Sequence, residues 1–290
     1  MLNQIYTSCV IKFLRPYIRR ELPGWGKLYS KFVGGYQKDR IWRDQPPRWV
    51  RGKIHGFEMS LRINGWSNRA TFFLERFYDL PTQLLLKQTL QSGDLFVDVG
   101  ANEGMMSLLG SRLVGSTGRV IAFEPNETPR GIFQANVARN GITNIDIKAA
   151  GLGEKSGMLD LFVPSINTGE GTFTPTGRSD GVRIKCPVVV GDDVLDGEKP
   201  RLIKIDVEGF ELNVLRGLKK TLVEKRPIVV MEMIEEHLAR ASTSPQELIS
   251  FLAELGYSGR RIDLQGRRTL AFRDIPSPWV DGDYVWTFEG

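Results

Sequence analysis

The stretch Leu95-Phe-Val-Asp-Val-Gly-Ala-Asn-Glu-Gly104 constrains this chain more than any other. Leu95 to Val99 is an apolar, branched run of the kind that forms a buried strand. Gly100 and Gly104 permit a tight turn, and Met105 to Val114 can supply the helix that follows. A second buried run, Val120-Ile-Ala-Phe123, ends at Glu124-Pro125. Strand, glycine turn, helix and strand make one unit of a parallel α/β sheet. An acidic residue about 20 positions past such a turn stands where a carboxylate grips ribose hydroxyls, so the pattern reads as a nucleoside site. A strand-turn-helix that holds no ligand is the plainer alternative.

The turn also bears on which nucleoside is held. A dinucleotide fingerprint needs G-x-G-x-x-G so that backbone can approach a pyrophosphate. Here the loop is Gly100-Ala-Asn-Glu-Gly104, without the middle glycine and with Asp98 and Glu103 close by. Two carboxylates repel a pyrophosphate but suit the sulfonium and ammonium of S-adenosylmethionine. The cofactor set expected from these segments is Asp98, Gly100, Asn102, Gly104, Glu124 and Pro125. A nicotinamide-dependent oxidoreductase using NAD and a noncatalytic binding protein that kept the fold stand as the other classes.

Three segments together, Val97-Asp-Val-Gly-Ala-Asn-Glu-Gly104, Phe123-Glu-Pro125 and Leu202-Ile-Lys-Ile-Asp-Val-Glu-Gly-Phe-Glu211, resemble the FkbM family of methyltransferases. The first two recur in most class I methyltransferases, whereas Lys204-Ile-Asp-Val-Glu-Gly209 is the family's own mark. The resemblance spans roughly Leu80 to Met233. It implies a class I methyltransferase (Rossmann-like) open sheet, mostly parallel with an antiparallel terminal strand. It also implies S-adenosylmethionine as donor and a hydroxyl of a sugar, glycan or natural product as acceptor.

The rest of the chain continues the α/β alternation. A helix over Phe77 to Leu90 leads through Gln91-Ser-Gly-Asp94 into the first strand, and Thr128 and Pro129 suit the cap and first turn of a helix that Asn140-Gly141 stops. A third strand is expected over about Ile145 to Ala150, with Ala150, Gly151 and Leu152 as wall positions beside the adenine, because ligands collect at the carboxyl ends of such strands. Met158 to Val163 and Val182 to Val190 read as a hairpin around Ser165 to Gly181, which is either a lid over the acceptor or a plain connection. Leu202 to Asp206 and Pro227 to Met233 read as the fourth and fifth strands. A helix over Pro245 to Leu255 follows, and the Arg-rich stretch through Phe272 with Tyr284 to Phe288 can form terminal antiparallel strands.

Asp206 and Glu208 arrive at the carboxyl end of the fourth strand, on the rim where the cofactor is expected. Methyl transfer needs an acceptor oxygen aligned with the methyl carbon and a group that removes its proton. Asp206 is the first choice for that group. It can instead orient the acceptor, join Glu208 in holding a divalent metal ion, or merely cap the helix that begins near Gly209. His237, one of two histidines, is the alternative base and Glu232 a similar one. Lys204, two positions from Asp206, either neutralises it structurally or takes part.

Charge separates the two ends of the chain. The formal net charge is +5, yet residues 1–60 hold 12 Lys and Arg against 4 Asp and Glu, while the remainder holds 27 against 30. A mildly acidic catalytic portion speaks against a nucleic-acid groove. The expected division is a basic, aromatic extension over residues 1–66 and a methyltransferase domain over 67–290. Leu2, Ile5, Tyr6, Cys9, Val10, Phe13 and Leu14 recur at helical spacing beside Lys12, Arg15, Arg19 and Arg20 until Pro16 interrupts. Such a basic amphipathic helix packs on its own protein or on a second subunit, or rests on anionic lipid. Cys9 and Cys186 are far apart, and no apolar run approaches the ~20 residues of a membrane span, so the expected location is the cytoplasm, with peripheral membrane contact open.

Overall fold

The computed structural model describes residues 2–164, 171–174, 180–266 and 268–289. It divides into two units, residues 1–80 with 138–140, and residues 81–137 with 141–290. Among the described residues no helix is long and apolar enough to cross a membrane.

In the first unit, α1 (Leu2–Arg19), α2 (Trp25–Leu28), α3 (Asp39–Trp42), the antiparallel pair β1 (Arg48–Arg51) and β2 (Glu58–Leu61), and α4 (Trp66–Leu74) surround a buried cation. Arg69 is fully buried; it donates to Asp39 Oδ1 at 2.7 Å and to the carbonyls of Gly35 at 2.9 Å and Asn64 at 3.1 Å. With the carbonyls of Ile63 and Gly34, both at 3.3 Å, the guanidinium reaches five acceptors, more than the three donors of a lysine could serve. Trp42 and Phe73 pack edge to face beside it. The first unit runs on to Leu80, because α4 carries Arg69 and leads to Glu75, which pairs with Arg15 and Arg19 of α1, both at 2.7 Å. One expectation changes here. Helix α1 runs through Pro16 to Arg19. Pro16 and Lys12, whose carbonyl loses its helical donor, are both exposed, so water can replace the bond, and buried Ile18 anchors the last turn.

The second unit contains α5 (Leu80–Thr89), β3 (Leu95–Val99), α6 (Met105–Val114), β4 (Arg119–Phe123), α7 (Glu127–Arg139) and β5 (Ile145–Lys148). β6 (Gly151–Gly153), β7 (Gly157–Pro164), β8 (Gly181–Val190) and α8 (Gly191–Val194) follow. Next come β9 (Pro200–Ile205), α9 (Glu211–Gly217), α10 (Lys219–Lys225), β10 (Ile228–Met233), α11 (Glu235–Arg240) and α12 (Pro245–Glu254). The unit ends with β11 (Tyr257–Gln265), β12 (Thr269–Arg273) and β13 (Gly282–Phe288).

Eight strands form one sheet in the order β12-β11-β13-β10-β9-β3-β4-β5. Strands β10, β9, β3, β4 and β5 run parallel, so the α/β expectation holds. All five residues of β3 are buried, as a strand covered on both faces requires. The antiparallel end comprises three strands, β13, β11 and β12, drawn from the stretches expected to form terminal antiparallel strands. After Lys148 the chain leaves this sheet, so Gly151 begins a separate three-stranded sheet, β6-β8-β7, instead of prolonging the third strand. The expected β7-β8 hairpin is present in antiparallel register, and residues 165–170 and 175–179 of its connection lie outside the described residues. Helix α7 is capped by Asn126, whose Oδ1 accepts from Thr128 N at 3.1 Å, and not by Thr128 itself.

Candidate active site

From β3 the chain proceeds through β4 and β5 on one side of the sheet and then crosses to β9 and β10 on the other. The carboxyl ends of β3 and β9 therefore flank the switch point where open α/β sheets hold ligands. Asp98 pairs in register with Lys204 and Val99 with Ile205, and Asp206 N donates to Val99 O at 3.0 Å. The two following turns touch. Gly100, at φ +80°, has no room for a side chain: a Cβ there would stand 1.9 Å from the carbonyl oxygen of Asp206. Each turn also holds a non-glycine residue at positive φ, Asn102 at 52° and Glu208 at 56°, a strained conformation that concentrates at functional sites.

A buried charge row lies under these turns. Lys204 Nζ donates to Asp206 Oδ2 at 3.0 Å and lies 3.8 Å from Asp98 Oδ1. Burial disfavours the charge of Lys204, but Asp206 and Asp98 outweigh it and hold the lysine above its ordinary value. Asp98 is fully buried, which raises its pKa against the opposing pull of Lys204 and Ser107. Its Oδ2 accepts from Ser107 Oγ at 2.6 Å, while its Oδ1 has no hydrogen-bond partner among the described residues. An orphaned carboxylate oxygen at this place fits a cationic ligand group such as an ammonium.

Glu124 stands at the end of β4. Its Oε2 accepts from Asn102 N and its Oε1 from Asn126 N, both at 2.8 Å. Burial pushes its pKa up to about 7 even though both amides favour the charged form. Each oxygen keeps a second lone pair, so the carboxylate can still accept from a vicinal diol. Arg130 fixes the same turn by donating to the carbonyls of Glu124 at 2.9 Å and Pro125 at 2.7 Å. Cys186 of β8 donates to the Pro125 carbonyl at 3.6 Å, which brings the small sheet to this edge. There Ala150 and Gly151 are buried, and the Phe173 ring lies against Gly151 and 5.3 Å from the Phe210 ring. Gly104 differs from the other expected contacts. Its missing side chain makes room for Phe133, since a Cβ there would meet that ring at 2.1 Å.

On the β9 and β10 side, His237 Nδ1 lies 2.8 Å from Glu208 Oε2. Burial works against protonation of His237, but the Glu208 contact more than compensates and raises its pKa. Glu208 is itself positioned from behind, because Thr172 Oγ1 donates to its carbonyl at 2.8 Å. Asp206, Glu208 and Glu232 each offer a carboxylate oxygen, and these oxygens lie within 4.8 Å of one another. Burial, with Asp206, Asp283 and Glu208 nearby, pushes Glu232 up to about 10. The three together make an oxygen-only ligand set of the kind a divalent ion takes. Asp206 does not act as a helix cap: α9 begins at Glu211, and it is Glu211 Oε1 that accepts from Gly209 N, at 3.0 Å.

The expected residues thus gather as two groups, Asp98, Gly100, Asn102 and Glu124 on the β3-β4 side, and Asp206, Glu208, Glu232 and His237 on the β9-β10 side. Ser107, Asn126 and Phe173 were not foreseen. Asn126, two residues past Glu124 and just before a helix, carried a legible capping signal. Ser107 and Phe173 carried none.

A family model described as the methyltransferase FkbM domain matches residues 98–258. Hexuronic acid methyltransferase AglP of Haloferax volcanii is 31% identical over 173 residues, 59% of this chain and 66% of that protein, a little under two thirds of its length. Methyltransferase 1 of Beauveria bassiana is 26% identical over 186 residues, 56% of this chain and 71% of the relative. The crystal structure of methyltransferase FkbM from Methylobacillus flagellatus KT aligns with 90% of this chain and 60% of its own at 17% identity, with a TM-score of 0.44. With more than half of its residues inside the family match, this chain belongs to the FkbM methyltransferases.

Proposed function

We propose that this methyltransferase carries a methyl group from S-adenosylmethionine to a hydroxyl of a sugar, glycan or related natural product, in the cytoplasm. The observation that carries the donor assignment is Glu124, a buried carboxylate clamped by two backbone amides beside the Gly100 turn with lone pairs left for a ribose diol. Asp98 Oδ1 supplies the anionic partner for the donor's ammonium. The acceptor class rests on likeness, since the relative at 31% identity is a hexuronic acid methyltransferase. A nucleic-acid acceptor fits poorly, because residues 81–290 hold 24 Lys and Arg against 28 Asp and Glu.

When bound, the donor offers an electrophilic methyl carbon on a cationic sulfur. The protein then has to orient a hydroxyl and take its proton as the new carbon–oxygen bond forms. Asp206, the first choice from sequence, already has one carboxylate oxygen, Oδ2, taken by the Lys204 ammonium at 3.0 Å. Its remaining lone pairs suit it to orient the acceptor. His237 is the better base: with Nδ1 donating to Glu208, Nε2 is left as the basic nitrogen, in the tautomer that such a dyad enforces. Loss of turnover in chelator, restored by added magnesium or manganese, would instead support an ion held by Asp206, Glu208 and Glu232 that activates the hydroxyl.

Calorimetric titration with S-adenosylhomocysteine tests the donor assignment. Saturable binding is expected, weakened about tenfold to a hundredfold in Glu124→Ala, the loss associated with one hydrogen-bonded charged group. Binding of NAD in place of S-adenosylhomocysteine would overturn the reading.

A further inference from the structure

Helix α1 has two apolar faces, and only one is used. Thr7, Val10 and Ile18 are buried on the inner face. The outer face carries Ile5, Cys9 and Phe13 at four-residue spacing, so they form one stripe along the helix. Ile5 is 58% exposed and Phe13 68% exposed, the two most exposed large apolar side chains among the described residues of this unit. Exposed Lys12, Arg19 and Arg20 border the stripe. A single exposed apolar residue is ordinary on any protein surface, whereas a stripe rimmed by cations on a helix already anchored from behind is the pattern of a surface-lying element.

Charge narrows the occupant. Residues 1–80 hold 15 Lys and Arg against 6 Asp and Glu, while residues 81–290 are net acidic. At least four of those six acids are engaged inside the unit: Glu21 by Lys53 and Arg76, Asp39 by Arg69, Glu58 by Arg139, and Glu75 by Arg15 and Arg19. Internal pairing hides the negative charge and leaves the surface of this unit strongly basic. An outward face that is both apolar and cationic matches an interface with acyl chains below and anionic headgroups above. A neutral apolar partner would account for Ile5 and Phe13 but not for the excess of cations around them.

We infer that α1 docks this protein on anionic membrane surfaces, with Ile5 and Phe13 entering the headgroup boundary and Lys12 and Arg20 facing lipid phosphates. The inference is independent of the catalytic assignment, because no residue of the active site takes part.

Co-sedimentation of the full chain with phosphatidylglycerol-phosphatidylcholine vesicles, compared with pure phosphatidylcholine, provides the test. Binding is expected to the anionic vesicles only and to fall with added salt. The pair Ile5→Ser and Phe13→Ser should release the protein to the supernatant, and Lys12→Glu with Arg20→Glu should weaken binding by roughly fivefold for each cation lost. Melting temperatures unchanged from the parent show that these variants are folded. Equal recovery in the supernatant with both vesicle types would overturn the inference. So would a concentration-dependent dimer that Phe13→Ser dissolves, since the stripe would then be a subunit contact.

Discussion

His237→Ala is expected to lower turnover about a thousandfold, within the range by which a positioned base accelerates proton removal, while leaving affinity for S-adenosylhomocysteine nearly unchanged. The split arises because His237 stands with Glu208 on the β9-β10 side, apart from Asp98 and Glu124, the carboxylates proposed to hold the donor. The pH profile adds a readout that mere structural damage would not mimic. A base works only when neutral, so activity should rise with pH through the pKa of His237, which Glu208 holds above the ordinary histidine value. Glu208→Gln removes the charge that raises it and leaves burial, which lowers it. The acid limb of the profile should therefore move to lower pH even as the maximum rate falls. Asp206→Asn tests the competing assignment. If the neutral amide abolishes turnover while His237→Ala keeps it, Asp206 is the base and the histidine merely supports Glu208. Steady-state rates of the three variants, measured across pH 5 to 9 with one accepted sugar, decide between them.

The parts of this arrangement that were legible in sequence are those set by local pattern. Strands buried on both faces read as unbroken apolar runs, which is why β3, β4, β9 and β10 stood out, and Glu124 followed from its distance to the glycine turn. What could not be read depends on pairings between distant segments. Ser107 occupies Asp98 because α6 folds back along β3, and no spacing rule links positions 98 and 107 to a hydrogen bond. The base assignment moved for the same reason. Sequence places Lys204 two residues from Asp206 but cannot say that its ammonium turns toward that carboxylate and away from solvent. In the first unit, the scattered Trp and Arg residues looked like an irregular cap because their organising centre, Arg69 with Asp39, joins segments 30 residues apart. Gly104 has a packing reason that no motif reveals, since its missing side chain makes room for Phe133.

The close approach of the two central turns makes Gly100→Ala the substitution with the largest expected effect on stability, a loss of about 2–5 kcal/mol. Two contributions of different origin add. A side chain at φ +80° costs about 1–2 kcal/mol in an L-residue. A methyl group 1.9 Å from the Asp206 carbonyl oxygen must also push backbone aside, and overpacking of this kind costs about 1–3 kcal/mol. No flexible side chain is there to give way: the obstacle is the main chain of the neighbouring strand's turn, held in place by the bond from Asp206 N to Val99 O. A fall in melting temperature of about 10 °C follows for a unit of this size. Gly131→Ala serves as the opposite control. Gly131 lies within α7 with nothing within 4 Å of an added Cβ, so alanine should stabilise there by about 0.5–1 kcal/mol. Relief of the Gly100 clash requires the ends of β3 and β9 to separate, which shifts Asp206 relative to Asp98. Whatever melting temperature the variant retains, its turnover should therefore fall further than its fraction folded accounts for. A variant that melts within about 2 °C of the parent and keeps full activity would show that the two turns do not touch at the site where donor and acceptor must meet.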